Sequence, residues 1–118
     1  MITNKIFDAI TIAASGVANS VPIELPHHLE GFFSLQIELT GNGTAKFEYE
    51  VSNDGETYIT QTATADQIVS GFTKTSGPGS DGKDLISFEP EPAKMMKIVC
   101  TETGTSDSVT ITVTAVIR

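Results

Sequence analysis

One cysteine, no tryptophan, two histidines and seven basic residues against fifteen acidic ones leave this 118-residue sequence short of the groups several functional classes require. With Cys100 alone, no intrachain disulfide can form, so core packing must hold the fold. The histidines are the adjacent pair His27 and His28 in Pro26-His-His-Leu-Glu30, and no Gly-x-Ser-x-Gly elbow accompanies them. A Ser-His-Asp hydrolytic set is therefore not expected. Neighbours on an extended chain point to opposite faces, so the two rings are poorly placed to share a metal unless Glu24 or Glu30 assists. No glycine-rich phosphate loop and no basic-aromatic stripe occurs, and the formal charge of −8 repels phosphate backbones and anionic lipid. The expectation is a protein that is not an enzyme, with no cofactor, no metal and neither nucleic acid nor membrane as partner. No run approaches the roughly 20 apolar residues of a membrane helix. Asp8 interrupts what would be the apolar segment of a secretion signal in residues 1–14, so the N-terminus reads as mature sequence made in a cytoplasm.

What is present is alternation. Phe33, Leu35, Ile37 and Leu39 alternate with Ser34, Gln36, Glu38 and Thr40, and Ala45, Phe47, Tyr49 and Val51 alternate with Lys46, Glu48, Glu50 and Ser52. A period of two is the signature of a half-buried strand. Gly41-Asn42-Gly43 between them tolerates positive φ and predicts a tight antiparallel hairpin. The same pattern returns in Met96, Ile98 and Cys100 and again in Val109, Ile111, Val113, Ala115 and Ile117, with Gly104 at the bend, predicting a second hairpin. Weaker strands are expected at Ile6–Ala13, Val21–Leu25, Tyr58–Thr62 and Leu85–Phe88, about eight in all. Sixteen threonines suit a pleated surface. At most one short helical turn fits, over Ala63–Ser70, where Thr64 can cap a turn stopped by Gly71. The segment from Thr73 to Lys83, with three glycines and one proline, reads as a flexible exposed loop. Antiparallel strands with one polar face require a second apolar layer, and without helices that layer is another sheet. The fold expected is all-β, one domain over residues 1–118, a two-sheet sandwich of jelly-roll or Ig-like type, with a closed barrel as the lesser alternative.

Ser52-Asn53-Asp54-Gly55 supplies oxygens for a calcium reading, but the alternating loop pattern with its terminal Glu is missing, and Asn53, Asp54 and Gly55 read as a structural turn. Ser80-Asp81-Gly82 is a turn of the same kind. Glu48 and Glu50 share a face as a carboxylate pair could, yet Lys46 lies beside them and the row reads as solvated exterior. Cys100 is in phase with Met96 and Ile98 and reads as buried. Glu89-Pro-Glu-Pro92 cannot enter a central strand. Phe7, Phe33, Phe47, Phe72 and Phe88 are needed for the core, which leaves Phe32 and Tyr58 as the exposed aromatics offered for contact with a carbohydrate ligand.

The succession of Ser20-Val-Pro-Ile-Glu-Leu25, Phe33-Ser-Leu-Gln-Ile37, the Gly41–Thr44 bend, Val51-Ser-Asn-Asp-Gly-Glu-Thr-Tyr58, Pro92-Ala-Lys-Met-Met-Lys-Ile98 and a Thr/Val-rich final strand resembles small β-sandwich structural proteins of tailed bacteriophages and prophages. Such proteins usually place an aromatic, often tryptophan, shortly after the Asp-Gly turn, where this chain has Tyr58. The resemblance implies a virion component of head, neck, tail or surface decoration, made in the host bacterial cytoplasm, associating with itself and with other virion proteins and carrying no catalytic residues. A carbohydrate-binding module used for attachment is the alternative. The turn assignment is testable by itself: with Gly55 at positive φ, Gly55→Ala lowers stability by about 1 kcal/mol or more, and an unchanged melting temperature would count against it.

Overall fold

The computed structural model describes residues 2–25, 33–60, 67–90 and 93–118. Nine strands account for its regular structure: β1 (Ile2–Ile12), β2 (Val17–Asn19), β3 (Ile23–Glu24), β4 (Phe33–Gly41), β5 (Ala45–Ser52), β6 (Gln67–Phe72), β7 (Lys83–Phe88), β8 (Met95–Glu102) and β9 (Val109–Ile117). The first sheet has the order β1-β9-β4-β7 and the second β2-β8-β5-β6, with β3 also paired to β8. Every pairing is antiparallel. Because β2 and β3 lie one after the other along β8, they act as one interrupted strand, and the arrangement is a jelly roll of two four-stranded layers. The layers keep separate edge strands, so this is a sandwich and not a closed barrel.

The alternating residues face where their period requires. Phe33, Leu35, Ile37 and Leu39 of β4, Phe47 and Tyr49 of β5, Met96, Ile98 and Cys100 of β8 and the odd-numbered residues of β9 from Val109 to Ile117 are all buried in one cluster between the sheets. Their neighbours on β4, β5, β8 and β9 are half-buried or exposed, apart from Ser52 and Glu102. Each central strand therefore contributes one apolar row to a shared core.

Both predicted hairpins are wrong in the same way. β4 pairs with β9 and β7, whereas β5 pairs with β8 and β6, so Asn42-Gly43-Thr44 carries the chain from one sheet to the other. Three extended residues span about 10 Å, which is the separation of packed sheets. β8 and β9 are likewise in different sheets, joined across the same end by residues 103–108. Alternation fixes which face of a strand is apolar; it does not say whether the next strand lies beside it or opposite it. Gly43 shows why this crossing needs glycine: a Cβ there would lie 2.9 Å from both the Ser108 carbonyl oxygen and Val109 Cβ.

Smaller corrections have local causes. Gln67–Ser70 of the expected helical turn belongs to β6, where Ile68 and Val69 pack against the core; residues 63–66 lie outside the described part. Of the strand expected at Tyr58–Thr62, the described residues form a single bridge between Ile59 and Val51. β2 was not anticipated at all. The segment from Thr73 to Lys83 folds on turn hydrogen bonds, from Ser76 N–H to the Thr73 carbonyl and from Ser80 N–H to that of Gly77, and it buries Gly77 and Gly82, the latter with φ +77 against the Leu39 carbonyl.

Gly43→Ala is expected to cost about 1–3 kcal/mol through overpacking at the crossing, while Gly71→Ala, where φ is +72 but nothing lies within 4 Å, carries conformational strain only, about 1 kcal/mol. Urea denaturation of both variants checks the difference; equal losses would show that the crossing is not close-packed.

Candidate functional site

Three connections cross between the sheets at one end: residues 13–16 after β1, 42–44 after β4 and 103–108 after β8. Crossing backbone leaves its ladder partners, so its N–H groups need others. Glu102 supplies them. Its side chain is 1% exposed, and its carboxylate accepts from Ser15 N–H at 3.1 Å and from Thr44 N–H at 2.7 Å. The Glu102 N–H donates to the Gly16 carbonyl, and Thr103 N–H to that of Thr44. Gly43 N–H reaches the Ser108 carbonyl and the Ser15 hydroxyl that of Gly104. Ser15 takes φ +60 to join this set. The backbone donors hold the Glu102 carboxyl below the usual carboxylate range against the opposing effect of burial. Burial and the neighbouring Glu102 charge push the Cys100 thiol up to about 12, so it carries no thiolate at neutral pH and packs as an apolar side chain. Glu102 was missed in the sequence although the signal was there: it is the next residue in the inward row of Met96, Ile98 and Cys100.

The opposite end carries the residues singled out from the sequence. Asp54 Oδ1 accepts from the Ser52 hydroxyl and from the Glu56 and Thr57 N–H groups, which brings its carboxyl from 3.8 down to about 2. Asn53 Oδ1 accepts from Lys94 N–H, and Gly55 has φ +77. The Asp54 oxygen serves the turn itself, and that of Asn53 ties the turn to the chain entering β8. Tyr58 is half-buried, with the Lys97 ammonium 4.6 Å from its ring centroid and a buried hydroxyl that has no partner among the described residues. Lys97 also pairs with Glu50 and Lys46 with Glu48, each at 3.4 Å. Phe32, His27, His28 and Glu30 lie outside the described residues. Within those described, no three His, Cys, Asp or Glu side chains gather as a metal group.

The strand edges form a second feature. The exposed large apolar residues Ile10, Val17, Val21, Ile59 and Leu85 all lie on or beside edge strands. Ile10, Val17 and Val21 share one flank, since residues 13–16 hold β1 next to β2; Val21 is 71% exposed. Leu85, 67% exposed, stands on β7 at the other flank. The edge backbones are irregular, and that of β7 is partly capped. Lys83 N–H is taken by Asp81 Oδ1 and Leu85 N–H by Asp84 Oδ1. β1 is bulged twice and turns through Ala9 at φ +50. β2 and β3 are separated by Ser20 and Pro22, and β6 shifts register against β5. Such devices oppose open-ended strand addition.

No family model matches this chain, and no curated protein matches it. Solved structures do. The crystal structure of PirA superposes with a TM-score of 0.54 at 18% identity, covering 98% of this chain and 93% of that one. The infectious bursal disease virus VP2 subviral particle gives 0.58 at 10% identity, with 97% of this chain matched to 31% of the VP2 chain, so this protein spans about a third of that length. The C-terminal CBM6 of LamC, a marine laminarinase from Zobellia galactanivorans, gives 0.50 at 12% identity over 96% and 98% of the two chains. The likeness is one of fold: a jelly roll that occurs both in a viral capsid protein and in a carbohydrate-binding module.

The depressed carboxyls fix the acid response. A group whose folded pKa is lowered stabilises the fold above its unfolded value and loses that contribution as pH falls through the folded one. Stability is therefore expected to hold down to the ordinary carboxylate value of 4.5 for Glu102 and to decline below it as Glu102 and Asp54, the latter lowered to about 2, take up protons. Glu102→Gln melts lower at neutral pH, and its gap to the parent closes as pH falls; a gap independent of pH in thermal scans would contradict the assigned role.

Proposed function

We propose that this protein is a non-enzymatic structural component of a tailed bacteriophage or prophage virion, made in the bacterial cytoplasm, that acts by associating with itself and docking on other virion proteins. The observation that carries this reading is the placing of exposed apolar side chains on edge strands that are capped in their backbone, as β7 is beside Leu85, or bulged and interrupted, as β1 and the β2–β3 pair are. Apolar side chains at an edge favour contact with another surface. Capped N–H groups oppose unlimited strand addition and direct association toward closed, side-chain-mediated contacts between copies. The succession of turns and strands that resembles phage structural proteins supports the virion setting, and the shared fold with VP2 is compatible with it.

Carbohydrate binding for attachment is the second reading, supported by the common fold with the LamC module. It draws less from the aromatics. Among the described residues every Phe and Tyr is buried or half-buried, and one approach to the Tyr58 ring is taken by Lys97.

Light scattering at micromolar concentration is expected to give a discrete oligomer. Val17→Lys combined with Val21→Lys, or Leu85→Lys on the other flank, lowers that mass while leaving the melting temperature within a few degrees, as expected for exposed sites. A strict monomer across concentration removes self-association, and an oligomer insensitive to both variants removes the edges as its cause.

A further inference from the structure

A cleft of about 330 Å³ opens on the outward face of the first sheet. Its rims are the bulged part of β1 around Ala9 and the Ser80–Gly82 turn that carries Asp81. Its floor is one cross-strand row, Thr112 on β9, Glu38 on β4 and Lys83 on β7, each the register partner of the next.

Glu38 is the unusual member. Five carboxylates among the described residues are half-buried or buried: Glu38, Glu48, Glu50, Asp84 and Glu102. Glu48 and Glu50 pair with lysines, Asp84 accepts from Leu85 N–H, and Glu102 accepts from two crossings. Glu38 has neither an ion pair nor a hydrogen bond among the described residues, although Lys83 stands directly opposite it. A carboxylate partly withdrawn from water without a partner is a cost that a bound donor would remove.

We propose that this cleft binds a saccharide. The inference goes beyond the assembly reading and does not depend on it. Acceptors and donors alternate along the floor: the Glu38 carboxylate accepts, the Lys83 ammonium donates, and the Thr112 hydroxyl, whose oxygen already accepts from Ala9 N–H at 3.1 Å, keeps its proton to give. Vicinal hydroxyls both donate and accept, so a sugar ring satisfies the whole row. A bare cation would meet Lys83, and an anion would meet Glu38 and Asp81. An aromatic base would find no ring in the lining. The volume lies at the small end of ligand sites, which run from about 300 Å³, and suits a short saccharide. The proposal places the sugar on the threonine-rich sheet face, in a lining that does not include Tyr58.

The test is an amide chemical-shift titration of the labelled full-length chain with D-glucose, D-galactose, N-acetyl-D-glucosamine and L-rhamnose, carried into the millimolar range appropriate to a site without a stacking ring. At least one sugar is expected to give saturable shifts centred on Glu38, Lys83 and Thr112, and Glu38→Ala should weaken its binding about tenfold, close to the loss of one charged hydrogen bond. Lys83→Ala should weaken it as well, so the result does not rest on one variant's folding; melting temperature and solution mass are read alongside. Absence of a saturable shift with all four sugars, shifts centred elsewhere, or binding unchanged in both variants overturns the proposal. Because mass is measured separately, such a failure leaves the assembly reading standing.

Discussion

The buried Glu102 carboxylate is the constraint around which this fold closes. A jelly roll sends its chain back and forth between two sheets, and each crossing takes backbone N–H groups away from the strands that would have paired them. Here three crossings converge at one end: the Glu102 carboxylate accepts from the first at Ser15 and from the second at Thr44, its own N–H binds the first again at Gly16, and Thr103, which opens the third, donates to the Thr44 carbonyl. A charge in an apolar interior is tolerated only when hydrogen bonds replace its water. The arrangement meets both needs together, since the donors that lacked partners are those that keep the carboxylate ionised. Ser15 accepts a left-handed backbone to take part, a conformation residues with a side chain rarely adopt.

That convergence decides which strands are neighbours. With each crossing fixed at one end, β9 lies between β1 and β4, and β8 lies between the β2–β3 pair and β5. The four best-paired strands become the middle of the sheets, and the shorter or bulged ones are left at the edges. The edges then face two opposed demands. Their backbones must not recruit strands without limit, which Asp81 and Asp84 prevent on β7 and the bulges prevent on β1. Their side chains remain free to be apolar, and Val21 and Leu85 are. An edge that is capped in its backbone and greasy in its side chains is suited to finite contact.

Much of this was legible in the sequence because burial and period are local properties. The inward rows of β4, β5, β8 and β9 follow directly from strict alternation, and so does the demand for a second sheet. Partner choice was not legible. Gly41-Asn42-Gly43 is as good a connection across a core as around a hairpin, and only the approach of Ser108 and Val109 to Gly43, contributed by chain more than sixty residues away, selects the crossing. The same distance hid Glu102, whose donors come from residues 15 and 44. Its phase marked it as inward; its charge argued for outward, and the conflict was itself the signal of a satisfied buried group. The cleft was hidden for a related reason, since Ala9, Glu38, Asp81 and Thr112 are brought together by register and not by spacing.

The division of labour that results bears on function. The crossing end spends its polar groups internally, and at the other end Ser52 and Asp54 use their side-chain oxygens within the turn while Asn53 accepts from Lys94 N–H. At the turn end the buried Tyr58 hydroxyl is left without a partner among the described residues. Further unspent capacity lies in the apolar side chains of the flanks and in the Glu38–Lys83 row on the first sheet. The two are neighbours at β7, where Lys83 stands opposite Glu38 and Leu85 projects from the same outward face two residues along, while Val17 and Val21 stand apart on the far flank beside β2 and β3. Contacts made through β2 and β3 would leave the outward face of the first sheet free, and that face carries Glu38, a half-buried carboxylate without a partner among the described residues.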